Sequence, residues 1–138
     1  MIVADTNVIV ALVVPDHEHR DAAGALLGAD DDWRAPLLWR SEVCNVLATL
    51  QRNGVISERE ALEALEIAEL VMQDGAYEIV ASEALRTAMA SGCAGYDAEF
   101  VVLARDLRTK LLTNDRALLG RFPDLAVDPE EYLAGDAA

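Results

Sequence analysis

Short apolar runs alternate along this chain with stretches whose apolar residues recur at helical spacing, and that alternation limits the fold more than any other feature. A short apolar run bounded by polar turns reads as a buried strand, whereas recurrence at i, i+3, i+4 and i+7 reads as helix. Strands are expected over residues 2–5, 33–36, 77–80 and 110–113, with room for an edge strand at 125–127. Helices are expected over 7–14, 20–27, 39–53, 58–73, 83–90, from 96 to about 108, 116–120 and 129–133. Several boundaries carry their own signals. Pro15 ends the first helix, with Thr6 as its expected cap. Gly54 follows the third, and Ser57 with Glu60 forms a capping box for the fourth. Ser82 is the expected cap of the fifth. Strands separated by helices imply a parallel sheet covered on both faces. With 138 residues and no linker or repeat, one α/β domain over 1–138 is expected.

Charge and cysteine usage narrow the function. Eleven basic and 25 acidic residues give a formal net charge of −14, which argues against non-specific binding to duplex nucleic acid. Such a charge suits an acidic metal site or a basic partner. Lys110 is the one lysine, so nearly all positive charge is arginine, whose planar fork suits phosphate. Cys44 and Cys93 fall in helical patterns, form no CxxC pair and read as small buried hydrophobes in a reducing compartment. No basic leader precedes the apolar start, and the stretch 8–14 is far short of the roughly 20 residues a membrane span needs. A cytoplasmic protein with no membrane partner is expected.

Four carboxylates occupy one kind of position. Asp5 and Asp115 follow apolar strands, and Glu42 and Asp97 lie in the first turns of helices. In a parallel α/β fold, the ends of strands and the starts of the helices that follow lie along one edge of the sheet. The four can therefore converge on one cleft. Clustered acids repel unless a cation neutralises them, and hard oxygen ligands select Mg²⁺ or Mn²⁺. A pair of such ions can activate water and stabilise a leaving oxygen in phosphodiester hydrolysis. Arg40, Arg116 and Arg105 are candidates for phosphate contacts. His17 and His19, with Asp16 and Glu18, superficially suggest a metal cluster. Alternate positions around a helix start do not converge, however, and a polar turn is expected there. Glu42 also has a plain structural role, since a carboxylate in a first turn suits the helix dipole.

Ala4-Asp5-Thr6-Asn7, Ser41-Glu42-Val43, Tyr96-Asp97-Ala98 and Thr113-Asn114-Asp115 occur in that order, and together they resemble the PIN-domain ribonucleases. Within that family the chain looks like the toxin half (VapC) of bacterial toxin–antitoxin pairs. Each motif is short, but the ordered set spans the chain from Asp5 to the region of Pro129. The resemblance implies a PIN-like α/β fold, a three-layer α/β/α sandwich with a central parallel sheet. It implies a metal-dependent endoribonuclease that hydrolyses RNA with metal-activated water, using Mg²⁺ or Mn²⁺ and two ions. Asp5 would be the shared ligand, Asp97 and Asp115 would serve one metal, and Glu42 would lie toward the second. Asn7 and Thr113, with Thr6, would support the acids from behind. A homodimer and a cognate VapB-like antitoxin are implied as partners. Glu99, two residues beyond Asp97 on a helix, is not expected among the main ligands.

Two other readings compete. A receiver-like module could hold Mg²⁺ in an acidic pocket without hydrolysing anything, but it should carry a lysine after a late strand, and Lys110 begins one instead. A PIN-fold scaffold could act through its partner alone. The RNA target is not legible, because recognition of unpaired bases depends on loop shape.

Overall fold

The structure is a computed structural model in which residues 1–135 are described; the expectation that the chain frays at its end falls on 136–138, outside them. Five strands form one sheet: β1 (Ile2–Ala4), β2 (Trp33–Pro36), β3 (Ala76–Tyr77), β4 (Leu111–Leu112) and β5 (Ala126–Val127). Their order is β3-β2-β1-β4-β5, and every pairing is parallel. In register, Ile2 pairs with Trp33 on one side, while Val3 and Ala4 pair with Leu111 and Leu112 on the other.

Eight helices complete the described residues: α1 (Thr6–Val13), α2 (Arg20–Ala29), α3 (Trp39–Arg52), α4 (Glu58–Met72), α5 (Ala81–Ser91), α6 (Gly95–Leu107), α7 (Arg116–Arg121) and α8 (Pro129–Leu133). The helices flank the sheet as in a three-layer α/β/α sandwich, the class expected from the alternation and the resemblance. α6 packs on β1, β2 and β4, with α5 against it, while α1 packs on α2, α3 and α4. This explains the composition of α6, which is buried at Ala98 and from Phe100 through Ala104. Parallel strands covered on both faces lose the alternation of a half-exposed strand, and all of β1 is buried.

Most boundaries follow local chemistry. Ser57 and Glu60 form the reciprocal capping box, Pro129 is at the start of α8 behind the Asp128 cap, and Gly54 takes a positive φ of 72° just past α3. Gly75 is needed for a different reason. A Cβ there would lie 2.3 Å from the Trp33 carbonyl oxygen, so only glycine lets the chain enter β3 beside β2.

Several expectations need correction. Asp5, not Thr6, caps α1: its backbone is extended and its side chain accepts the Thr6 N–H, while Thr6 is already helical. Both residue types are good caps, and the strand ends one residue earlier than the pattern suggested. Likewise Val80 precedes α5 and Ser82 lies inside it. Cys44 is exposed on α3, and Cys93 is buried in the connection between α5 and α6, not in a helix. No helix among the described residues is long and apolar enough to cross a membrane.

Candidate active site

The chain runs outward from β1 to β2 and β3, then returns to place β4 and β5 on the other side of β1. At such a reversal the connections leave in opposite directions and open a crevice at the carboxyl ends of the strands. Asp5 follows β1 and Asp115 closely follows β4, so both sit at that crevice. Glu42 comes from the first turn of α3 and Asp97 from that of α6. All four carboxylates line one cavity of about 280 Å³, together with Thr6, Asn7 and His17. Four segments remote in sequence therefore deliver their acids to one place.

The strand-borne side of the cavity is tightly bonded. Thr113 is fully buried, and its hydroxyl donates to Asp5 Oδ2 at 2.7 Å. Thr113 Oγ1 in turn accepts from the Asn7 amide at 3.1 Å and from the Asp115 backbone N–H at 3.0 Å. One donor and two acceptor sites exhaust a hydroxyl, so Thr113 is a saturated hub. Asn7 also donates to Asp5 Oδ2 at 3.1 Å and accepts from the Asn114 N–H at 2.9 Å. Asp5 Oδ1 takes the Thr6 N–H at 2.8 Å. Asp115 Oδ1 caps α7 through the Ala117 N–H at 2.8 Å.

The helix-borne side is more open. Thr6 Oγ1 donates to Glu42 Oε1 at 2.6 Å, and no hydrogen bond from the described residues reaches the Asp97 carboxylate. Electrostatics reflects the crowding. Burial, reinforced by the charges of Asp97 and Glu42, pushes Asp5 up to about 6 despite its donors. Burial also raises Glu42, against the Thr6 bond and with help from Asp97 and Glu99. Asp97 is raised by burial and by Asp115, with Arg121 opposing. Glu99 does not line the cavity, but its charge reaches Glu42.

The arginines do not enter this cavity. Arg40 lies over the Trp39 ring and Arg105 over the Phe122 ring, each about 5.5 Å from the centroid. Arg116, the first residue of α7, is exposed. Lys110 precedes β4, and its ammonium donates to the Asp124 carbonyl at the opposite end of the strand. A receiver-like lysine at the acidic edge is therefore missing among the described residues. The turn 16–19 is a turn, as expected, yet His17 reaches the cavity wall, which its sequence position did not reveal.

The donor set suits a hard divalent cation. Every ionisable group lining the cavity except His17 is a carboxylate, and no lysine or arginine lines it. Asp5, Glu42 and Asp97 are held above their ordinary values, first by burial and then by neighbouring carboxylates. Among the described residues, no three Asp, Glu, His or Cys side chains already stand together as a finished ligand set. The acids surround the cavity without converging on one point.

Comparison with known proteins places this geometry in a family. The family model described as PIN domain matches residues 2–125. The chain is 35% identical over 129 residues to "Ribonuclease VapC3" of Pyrobaculum aerophilum, covering 90% of this chain and 96% of that one. The crystal structure of PAE2754 from the same organism shares the fold, with a TM-score of 0.77 and 24% identity over 97% of this chain and 87% of that one. FitAcB from Neisseria gonorrhoeae shares it at a TM-score of 0.69 and 17% identity, over 94% of this chain and 99% of the matched chain. The chain belongs to the PIN-domain family and, within it, resembles the VapC ribonucleases.

Proposed function

We propose that this protein is a divalent-metal-dependent endoribonuclease, the toxin half of a VapBC-type toxin–antitoxin pair. The observation that carries this reading is the convergence of Asp5, Glu42, Asp97 and Asp115 on one cavity at the sheet reversal, in a chain 35% identical to a ribonuclease. Mg²⁺ or Mn²⁺ would be held by these four acids, with Asp5 shared between two ions. Bound there, the ions supply Lewis-acid chemistry for activating water and neutralising a leaving oxygen.

The chain's own residues orient the acids. Thr113 and Asn7 fix Asp5 Oδ2, the Thr6 N–H fixes Oδ1, and Thr6 Oγ1 fixes one oxygen of Glu42. The free oxygens of Glu42 and Asp97 adjust around whatever enters. Arg116 and Arg40 are assigned to phosphates outside the cavity, where their exposed forks meet the RNA backbone. A VapB-like antitoxin with a basic segment complements a chain of −14. Exposed Leu62, Leu70, Leu85 and Met89 offer apolar surface for that partner and for a homodimer. The assigned location is the cytoplasm.

Incubating the purified protein with single-stranded RNA in Mg²⁺ or Mn²⁺ tests this reading. Cleavage is expected in the wild type and lost on chelation or in Asp5→Ala, with the fold checked by circular dichroism. Full cleavage by folded Asp5→Ala would overturn it.

A further inference from the structure

Three side chains lining the acidic cavity can donate hydrogen bonds: Thr6, Asn7 and His17. The Thr6 hydroxyl is spent on Glu42. Both amide hydrogens of Asn7 are spent, one on Asp5 and one on Thr113. His17 differs. Its Nδ1 accepts the backbone N–H of His19 at 3.1 Å. A backbone N–H can only donate, so Nδ1 carries the lone pair and the neutral ring carries its proton on Nε2. That Nε2–H has no protein partner among the described residues. The ring is half-buried, and burial together with His19 disfavours its charged form. In this tautomer Nε2 has no lone pair to offer a cation, so the ring is a donor and not a metal ligand.

We infer that His17 is a substrate-binding residue, donating its Nε2–H to a phosphodiester oxygen of RNA drawn into the cavity. This rests on the ribonuclease reading. Beside Val10 and Val46 and the spent donors of Thr6 and Asn7, the rest of the lining is carboxylate, which repels a phosphodiester wherever a cation does not intervene. A neutral donor at the wall gives the incoming anion one direct protein contact without competing with the acids for metal. It also places a recognition element on the turn 14–19, outside the four-acid motif.

Two substitutions separate this role from a turn-forming one. In His17→Asn the Oδ1 atom still accepts the N–H two residues on, as an Asx turn, but the donor at the reach of Nε2 is gone. In His17→Gln an amide N–H returns close to the position of Nε2. Binding of a fluorescein-labelled single-stranded RNA of mixed sequence is measured by anisotropy with Ca²⁺ replacing Mg²⁺, and KM and kcat are measured separately in Mg²⁺. His17→Asn should weaken binding and raise KM by roughly three- to tenfold, the scale of one neutral hydrogen bond, with kcat changed less than about twofold. His17→Gln should recover most of the loss. RNA binding by His17→Asn equal to wild type would overturn the assignment while leaving the ribonuclease reading intact. Loss in His17→Gln with retention in His17→Asn would also overturn it, because the turn would then be what matters. A wild-type protein that neither binds nor cleaves RNA would remove the ribonuclease reading, and this inference with it.

Discussion

Asp5 and Asp97 face the same cavity but are held in opposite ways. Asp5 is almost wholly buried and takes hydrogen bonds from Thr6, Asn7 and Thr113. Asp97 takes none from the described residues and projects from the first turn of a helix whose cap residue, Ala94, has no hydrogen-bonding side chain. One half of the site is a fixed frame built on strand ends. The other is loosely held, with oxygens left over. A site of this construction locates a ligand with one half and adapts to it with the other. The two halves should therefore respond differently to substitution. Damage to the frame should cost stability and activity together, and damage to the open half should cost activity alone.

The largest effect is expected at the open half. Asp97→Asn should lower RNA cleavage by at least about a hundredfold, since under the proposed mechanism it removes a metal ligand and not merely its support. It should also raise the melting temperature in chelator by up to about 3 °C, because a carboxylate held above its ordinary range becomes neutral. A fall in melting temperature as large as that of a frame variant would break the distinction.

The pH dependence comes next. Asp5 has its native value near 6 against an ordinary 3.8. Between those values the native state holds more protons than the unfolded one, so stability in chelator should fall as pH rises from about 4 to about 6. The Asp5 contribution is on the order of 3 kcal/mol over that window. Denaturant melts across the window measure it, and in Asp5→Ala the slope should flatten.

Thr113→Val keeps the shape but removes the hub hydroxyl. It should cost about 1–3 kcal/mol, because the Asn7 amide and the Asp115 N–H lose an acceptor and Asp5 loses a donor. Thr113→Ser should restore most of that in the same melts. The smallest effect is expected for Thr6→Val, which frees Glu42 at a cost of about 1 kcal/mol and should change cleavage more than stability.

Much of this was legible in the residue order. β2 and α8 begin and end where their residues predicted, because a tryptophan-to-proline run and a Pro after an Asp cap are local signals. The four acids were legible because each follows a strand or opens a helix, and topology alone gathers such positions along one edge. The residue order does not decide between Thr6 and Asp5 as the cap of α1, because Asp and Thr are both good caps and only the backbone separates neighbours. Cys44 looked buried by pattern and is exposed, since α3 is buried mainly at Trp39, Val43 and Leu47. β3, β4 and β5 are two residues each, shorter than their apolar runs, because an apolar run marks burial and does not fix where ladder pairing stops. His17 was invisible as a cavity residue because its position depends on how the turn after α1 folds back, which no periodicity encodes.

Cation binding itself is the most direct test, read by calorimetric titration and by melting temperature. If Asp5, Glu42, Asp97 and Asp115 form a cation site, Mn²⁺ should bind the wild-type protein. At a hundredfold excess over its Kd it should raise the melting temperature by about 5–10 °C. Thr113→Val should bind more weakly, and Asp97→Asn should show little of either effect. A wild-type protein that takes up neither Mn²⁺ nor Mg²⁺, or an Asp97→Asn variant that binds as tightly as wild type, would contradict it.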